Sequence, residues 1–269
     1  MIKFLKSMAI PTAALVALPG IASASVGLAP DDFVGISFWV ISMCMVAATA
    51  FFFLETNNVS GKWKTSLALG GLVCLVAAVH YFYMREVWVT TGDTPTVYRY
   101  VDWLITVPLQ MIEFYIILAA VAAVSAGIFW RLLIGTLVML VAGYAGEAGF
   151  INAWAGFIVG LAGWAYILYE IFAGEAGKAA ADKCPAAVQT AFNTMRWIVT
   201  VGWAIYPLGY FFGYLTGGAD AVTLNVIYNV ADVVNKIAFV AVIWAAAVAS
   251  SGKKAVSYTH LRAHETLLY

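Results

Sequence analysis

The sequence predicts an all-α fold, a bundle of seven transmembrane helices with its mature N-terminus outside the cell and its C-terminus in the cytoplasm. Three observations support this fold class. The 269 residues are 64% hydrophobic and only 10% charged, whereas soluble proteins carry about 25% charged residues. Seven apolar blocks follow one another along the chain. Basic residues concentrate in every second connection between those blocks.

The N-terminal segment has the features of a cleavable signal peptide over residues 1–24. Lys3 and Lys6 precede an apolar core over residues 8–21, and the small-x-small sequence Ala22-Ser23-Ala24 follows it. An additional uncleaved helix is the alternative, but two prolines and a glycine within the apolar core disfavour it. We therefore predict cleavage near residue 24.

The seven apolar blocks that follow are each about 17 to 30 residues long, and a helix of about 20 residues crosses the hydrocarbon core. They cover approximately residues 33–54, 65–84, 97–123, 130–146, 151–173, 196–215 and 221–250. The seven-helix domain is therefore predicted over residues 25–252. The segments 85–96 and 174–195 are predicted to be the longest connections on the two sides of the membrane.

The distribution of basic residues predicts the orientation of the bundle. One set of connections contains Lys62, Lys64, Arg131, Lys178, Lys183, Arg196, Lys253 and Lys254. The other set contains Arg85 and otherwise acidic residues, namely Glu86, Asp93, Glu147 and Asp220. Because basic residues favour the cytoplasmic side, the first set is predicted to be cytoplasmic, in agreement with the signal peptide.

The third block includes the stretch RYVDWLITVPLQMIEFYI, which carries three charged residues where charge is costly. Asp102 and Glu113 are close to three helical turns apart, so they share one face and are separated by about 16 Å along the axis. Arg99 lies one turn from Asp102 on nearly the same face. With the predicted orientation, Asp102 lies toward the outside and Glu113 toward the cytoplasm.

The seventh block places Lys236 near the middle of the membrane, with Asp232 one turn away on the same face. Burying a lysine at this depth costs about 3 kcal/mol or more, so such residues are functional candidates. Desolvation favours the neutral amine, which can condense with an aldehyde to form a Schiff base. A buried ion pair that only fixes helix packing is the alternative, but it leaves Glu113 unexplained.

The segments RYVDWLITVPLQMIEFY and YNVADVVNKIAF resemble helices three and seven of the microbial type-1 rhodopsins, and most closely those of the proteorhodopsins. The resemblance covers about residues 26–254. It implies an all-trans retinal chromophore linked covalently to Lys236 as a protonated Schiff base. Asp102 and Asp232 are implied to be its counter-ions.

Within this family, a triplet of residues on helix three distinguishes the transported ion. Asp102, Thr106 and Glu113 resemble the triplet of an outward proton pump, which implies Asp102 as proton acceptor and Glu113 as proton donor. The apolar neighbours of Glu113 favour the protonated form that a donor requires at rest. Arg99 is implied to adjust the charge balance near the acceptor. The region before Tyr228 lacks the acidic release group of the archaeal pumps, so fast proton release is not expected.

His80 in the second block lies at a level similar to that of Asp102, about 22 Å from the inner end of its helix. We expect a hydrogen bond between His80 and Asp102 that adjusts the proton affinity of the acceptor, and the family resemblance implies the same role. A histidine that bonds only to backbone or lines a subunit contact is the alternative. The resemblance also implies a homo-oligomer, a pentamer or hexamer, with Trp39 near the contact.

A polyene chromophore requires a close-fitting apolar sleeve, and aromatic residues at helical spacing supply candidates for it. The predicted lining residues are Trp103, Trp203, Tyr206, Pro207, Tyr210 and Tyr228, with Trp164 as a weaker candidate. Gln110 lies about two turns from Asp102 on the same side. By resemblance, it occupies the position that separates blue-absorbing from green-absorbing proteorhodopsins, and glutamine there implies blue absorption.

The resulting hypothesis is a blue-absorbing, light-driven outward proton pump, a multi-pass protein of the bacterial inner membrane. A slow-cycling photosensory rhodopsin that signals through a membrane partner is the alternative. A seven-helix receptor for a diffusible ligand conflicts with the short inner connections and with Lys236. No enzyme is expected, because the sequence shows no nucleophile–base set.

The lipid bilayer is the predicted environment, and no soluble partner is required. Nucleic acid is not expected as a partner, because the formal net charge is zero. No metal site is expected either, since His260 and His264 in the tail lack further ligands. The tail, residues 253–269, resembles no segment of the family and is predicted to be a cytoplasmic extension of partly non-native sequence.

Overall fold

In a computed structural model, residues 28–251 form seven long helical spans joined by short connections. The spans are Phe33–Glu55, Trp63–Thr91, Thr96–Val121, Ala126–Glu147, Ala153–Lys183, Ala186–Leu215 and Ala221–Ser251. Each is long and apolar enough to cross a membrane, which confirms the predicted all-α bundle within the described residues. The predicted signal peptide and the predicted tail lie outside the described residues.

Polar side chains begin several of these spans. An aspartate, serine or asparagine accepts a hydrogen bond from a first-turn backbone N–H that would otherwise lack a partner. The capping residues are Asp32, Ser125, Asn152 and Asp220. At its C-terminal end, the second span stops at Gly92, whose φ of 71° is a left-handed conformation that favours glycine.

The segment 174–195, predicted to be a long connection, is largely helical. It contains the helix Glu175–Lys183 and most of the helix Ala186–Trp197, which extend the fifth and sixth spans. Pro185 lies between them, where its missing N–H costs no helical hydrogen bond. The prediction was wrong because the segment is rich in alanine, which favours helix without raising hydropathy enough to mark a span.

An ion-pair group fixes the end of the fifth span against the fourth. Arg131 donates from Nε to Glu170 at 2.9 Å and from Nη2 to Glu175 at 2.7 Å. Glu170 is only 2% exposed and also accepts from the backbone N–H of Ala176 at 3.0 Å. Because this buried carboxylate has several donors, it can hold the helix Glu175–Lys183 in place.

The bundle buries its polar membrane-embedded side chains and exposes apolar ones. Asp102 and Thr106 on the third span and Asp232 on the seventh are fully buried, whereas Val101 and Ile105 on the third span are more than 40% exposed. Lipid cannot hydrogen-bond polar groups, so these must find partners within the protein. The distribution therefore suits a protein surrounded by a bilayer.

Three π-helical segments interrupt the sixth and seventh spans, at Ile198–Gly202, Phe211–Leu215 and Val234–Ala238. A π turn contains an extra residue and is often found at functional sites. The third of these segments includes Lys236. The extra residue changes which side chains face the interior after each segment.

Candidate functional site

Lys236 is the centre of a buried ion group between the third and seventh spans. Its Nζ lies 3.0 Å from Asp102 Oδ2 and 3.0 Å from Asp232 Oδ2. The lysine side chain is 2% exposed and both aspartate side chains are fully buried. Two carboxylates at this distance favour the charged ammonium, so the geometry does not support the neutral amine expected from desolvation alone.

Asp232 is the more extensively hydrogen-bonded of the two carboxylates. Tyr206 donates its hydroxyl to Oδ1 at 2.6 Å, and Tyr81 donates to Oδ2 at 2.9 Å. The indole N–H of Trp103 lies 3.3 Å from Oδ1 and 3.4 Å from Oδ2. Because these donors stabilise the ionised form, Asp232 is held as an anion.

Asp102 has fewer partners. Within residues 28–251, no donor other than Lys236 contacts its carboxylate. The Thr106 hydroxyl donates to the backbone carbonyl of Asp102 at 3.0 Å rather than to the side chain. Asp102 is therefore the carboxylate that a proton can occupy at the lower cost in lost hydrogen bonds.

His80 does not form the predicted hydrogen bond with Asp102. Its Nδ1 lies 2.9 Å from the carbonyl oxygen of Val76, one turn earlier on the same helix. The prediction of a direct bond is therefore wrong for this structure, because depth along a helix does not determine where an imidazole points.

Arg99 is 1% exposed and is held by uncharged neighbours. Its guanidinium carbon lies 5.4 Å from the ring centre of Phe38 and 5.3 Å from that of Tyr228, so the cation sits against two aromatic rings. Nη2 donates to Asn225 Oδ1 at 2.7 Å and to Asn229 Oδ1 at 2.8 Å. Among the described residues, Arg99 makes no ion pair within 4.0 Å, so its charge acts on the ion group from a distance.

Glu113 lies on the same helix as Asp102 and is 1% exposed. Neither of its carboxyl oxygens has a well-aligned hydrogen-bond partner within the described part of the chain. The buried hydroxyl of Ser66 is the polar group that interacts with it. Phe114 and Ile117 beside it belong to the apolar core. An ionised carboxylate is costly in such surroundings, which favours the neutral acid.

An internal cavity adjoins Lys236. Five of the six predicted aromatic and proline residues line it, namely Trp103, Trp203, Tyr206, Pro207 and Tyr210, and so do Gln110 and Trp164. Gly143, Gly156 and Gly160 also line it and leave room between the helices. A long apolar molecule attached to the lysine fits this lining, because the rings exclude water and the amine is within reach.

Tyr228 does not line the cavity, contrary to the prediction. Its ring stacks on that of Tyr206 at 5.9 Å and meets that of Trp103 edge-on at 5.7 Å. It therefore packs behind two lining residues and contacts Arg99 on its other side. Helical spacing places Tyr228 on the inner face, but it does not separate the first layer of side chains from the second.

Three residues at the site were not predicted from the sequence. Tyr81 donates to Asp232, and Asn235 accepts a hydrogen bond at its backbone carbonyl from Gln110 at 3.2 Å. Glu147, which charge alone assigns to an outer connection, lines the cavity and accepts from Tyr100 at 2.8 Å. Asn235 could have been identified from the sequence, because it is a polar residue next to Lys236. Tyr81 could not, because it lies in an apolar run with no neighbouring charged residue of the site.

Comparison with known proteins identifies the family. Residues 32–250 match the model of the bacteriorhodopsin-like proteins. The chain is 54% identical over 238 residues to the green-light absorbing proteorhodopsin of Gamma-proteobacterium EBAC31A08, covering 88% of this chain and 95% of that protein. It is 56% identical to the blue-light absorbing proteorhodopsin of Gamma-proteobacterium Hot 75m4, covering 88% and 94%. Identity therefore does not distinguish the two absorption classes.

Solved structures agree with this assignment. The blue light-absorbing proteorhodopsin from Med12 matches with a TM-score of 0.71 and 54% identity, covering 82% of this chain and 100% of that one. The Exiguobacterium sibiricum rhodopsin matches with a TM-score of 0.73 and 32% identity, covering 82% and 98%. The chain therefore belongs to the bacteriorhodopsin-like family and, within it, to the proteorhodopsins, which are retinal-containing, light-driven ion pumps of bacterial membranes rather than enzymes.

Proposed function

We propose that this protein is a light-driven outward proton pump that carries all-trans retinal on Lys236. One observation supports the proposal most strongly. Lys236 Nζ lies 3.0 Å from each of two carboxylates, and of these two only Asp102 lacks further donors among the described residues. Asp232 already accepts several hydrogen bonds, whereas within residues 28–251 the Asp102 carboxylate accepts none besides its contact with Lys236. A proton released from the amine is therefore expected to move to Asp102.

The residues around the cavity suit retinal. Trp103, Trp203 and Pro207 supply close apolar walls next to the amine of Lys236. When bound, the chromophore absorbs light and changes shape, which supplies the energy for proton movement. Trp103 and Tyr206 line the cavity and also donate to Asp232, so the cavity wall and this counter-ion form one packed unit.

Asp102 is the proposed proton acceptor and Asp232 the permanent counter-ion. Asp102 Oδ2 is in direct contact with Lys236 Nζ, so a proton can pass between them without a bridging group. Asp232 keeps its charge because Tyr81, Tyr206 and Trp103 stabilise it. His80 is proposed to adjust the proton affinity of Asp102 without a direct hydrogen bond between the two side chains.

Glu113 is the proposed proton donor. Its enclosure among apolar side chains keeps a proton on the carboxyl group at rest. Its separation from Asp102 along one helix, about 16 Å, gives the proposed donor a different depth in the membrane from the acceptor that contacts Lys236. Once Asp102 has taken the proton, Glu113 is proposed to return one to the amine, so each cycle moves one proton in one direction.

The direction of transport depends on the orientation of the bundle. The alternation of basic and acidic connections supports an external N-terminus and a cytoplasmic C-terminus. Removal of residues 1–24 as a signal peptide is consistent with this orientation in the bacterial inner membrane. Asp102 and Arg99 then lie in the outer half and Glu113 in the inner half, so protons move outward.

Light-driven pH change in a suspension of bacterial cells tests the proposal. Cells that express the protein and receive retinal should acidify the medium under illumination. A protonophore should abolish the acidification, because it returns the transported protons. Cells given no retinal serve as the control. Glu113→Gln should slow sustained acidification by about 100-fold, the contribution expected of a positioned proton donor.

A coloured protein that produces no pH change would contradict the pumping proposal. The proposed retinal-binding site would then be retained, and the photosensory alternative would become the first candidate function. Alkalinisation instead of acidification would show inward transport or the reverse orientation, and either result would contradict the proposed direction.

We also propose blue absorption, on the basis of Gln110. This residue is 2% exposed and lines the cavity beside Lys236. Its amide carries a dipole into an otherwise apolar wall. Such a dipole stabilises one charge distribution of a polyene more than another and so changes the excitation energy.

Gln110→Leu is expected to shift the absorption maximum to longer wavelength, because it removes this dipole while keeping a similar volume. The measurement is the visible spectrum of the purified, retinal-loaded protein at neutral pH. Gln189→Leu is the matched control, because Gln189 donates to the carbonyls of Ala181 and Cys184 and does not line the cavity. An unchanged maximum in Gln110→Leu would contradict the assignment.

Assembly into a pentamer or hexamer is also proposed. Trp39 is 37% exposed on the outer face of the first span, and its ring meets that of Phe82 at 5.3 Å. His80 on the second span is half-buried. An aromatic surface of this kind can pack against a second copy within the bilayer.

A further inference from the structure

Two π-helical segments meet beside the ion group. The segment Val234–Ala238 carries Lys236, and the segment Ile198–Gly202 of the sixth span lies against it. A π turn departs from the regular i→i−4 hydrogen-bond ladder and is frequent at functional sites. Lys236 and Trp203, where the aromatic cavity wall begins, are therefore both attached to irregular helix.

Asn235 bridges these two segments. Its Nδ2 donates to the carbonyl oxygen of Gly202 at 3.0 Å and lies 3.4 Å from the hydroxyl oxygen of Tyr206. Asn235 is 3% exposed, so water does not compete for these bonds. A Cβ atom on Gly202 would collide with the Asn235 side-chain oxygen, so the close approach of the two segments requires glycine at that position.

The bridge continues on both sides. The backbone carbonyl of Asn235 accepts from Gln110 Nε2 at 3.2 Å, which ties the segment to the third span. On the other side, Tyr206 donates to Asp232 Oδ1 at 2.6 Å. Asn235 therefore lies within one connected hydrogen-bond network that includes three spans and one carboxylate of the ion group.

We infer that Asn235 is a positioning residue that transmits displacement of Lys236 to the sixth span through its bond to Gly202. The inference rests on the proposed attachment of retinal at Lys236. Because Asn235 adjoins Lys236 in the chain, a movement of the lysine backbone also displaces Asn235. The hydrogen bond from the Asn235 side-chain amide then displaces Gly202, at the C-terminal end of Ile198–Gly202. Trp203 and Tyr206 follow directly after that end, so the cavity wall and the partner of Asp232 move together with the lysine.

Asn235→Leu tests this role, because it keeps the approximate volume and removes both side-chain hydrogen bonds. The first readout is backbone amide exchange over residues 198–206 in the retinal-free protein, which should accelerate about threefold to tenfold. The second readout is recovery of the initial absorbance after a flash in the retinal-loaded protein. Recovery should slow by about threefold to tenfold, as expected when one or two buried hydrogen bonds no longer assist a step.

Thr136→Val is the matched control. Thr136 is fully buried, donates to the Leu132 carbonyl within its own helix, and does not line the cavity. It should change neither the exchange over residues 198–206 nor the recovery time. If Asn235→Leu does not fold, Gly202→Ala breaks the same contact from the opposite side and should give the same two changes.

The inference is overturned if exchange in both variants equals that of the unmodified protein. It is also overturned if exchange accelerates while recovery is unchanged, because the bridge would then exist without transmitting movement. The exchange readout needs neither retinal nor pumping. Failure of the proposed pump function would appear instead as absence of light-driven acidification in the unmodified protein, with the exchange result unaffected.

Discussion

Asp102→Asn should leave a coloured protein that moves no net protons. Asp102 Oδ2 is the open acceptor in contact with Lys236 Nζ, and an amide cannot take the proton that a carboxylate takes. Loss of a positioned acid or base reduces a proton-transfer step by roughly 100- to 10,000-fold. Illumination of expressing cells should therefore produce no acidification above background, while the purified protein keeps its visible band.

Asp220→Asn is the control for this substitution. Asp220 is an exposed carboxylate that caps the seventh span through a bond from the backbone N–H of Thr223 at 2.7 Å. The same change of carboxylate to amide there should leave pumping intact. Acidification at an undiminished rate in Asp102→Asn would mean that another group accepts the proton. Asp232 would then be the first to examine.

Lys236→Ala should produce a colourless protein that binds no retinal covalently and does not respond to light. The substitution also leaves Asp102 and Asp232 buried without their cation. Breaking a buried ion pair from one side costs about 3 to 5 kcal/mol, although protonation of one carboxylate reduces the loss. The thermal midpoint in detergent should therefore fall, and it should fall further at high pH.

A double variant separates the two effects of Lys236→Ala. Adding Asp102→Asn removes one of the uncompensated carboxylates, so part of the lost stability should return without any colour. Lys62→Ala is the matched control, because Lys62 is exposed and, among the described residues, its side-chain ammonium donates a hydrogen bond only to the Ala119 carbonyl. A visible retinal band that persists when Lys236→Ala is denatured, without reduction by borohydride, would show that retinal is bound covalently to another amine.

Much of the fold could be predicted because a bilayer imposes simple lengths. Each span must be about 20 apolar residues long, and the structure confirms seven such spans within residues 28–251. The helical segment at 174–195 was missed because alanine is a strong helix former with modest hydropathy. Hydropathy identifies the part of a helix that lies in lipid and does not identify its extension beyond the membrane surface.

The alignment of charged residues was also accessible from spacing. A regular helix fixes which residues share a face, and Asp102, Gln110 and Glu113 on the third span are all buried. Contacts between helices were less accessible. The expected His80–Asp102 bond fails because the imidazole finds a carbonyl on its own helix. Spacing gives depth and direction, but it does not give the rotamer.

Irregular helix limited the prediction of the remaining site. The π segments at Ile198–Gly202 and Val234–Ala238 shift the register beside Trp203 and Lys236, and no residue pattern in the sequence marks them. The role of Asn235 depends on both segments and was therefore not predicted. The charge of Glu147 predicted a position in water, whereas it is half-buried beside the cavity and accepts a hydrogen bond from the Tyr100 hydroxyl.

The aromatic and amide packing around Arg99 has a consequence for how well the protein retains a gradient in darkness. The guanidinium is held between Phe38 and Tyr228 and fixed by two asparagines, so its positive charge cannot easily move within the bundle. A fixed arginine charge buried in the bundle repels other cations, including protons. Back-leak through the resting protein should therefore be slow even when the external medium has become acidic. A membrane that contains many copies of the protein would then keep a low proton permeability when illumination stops.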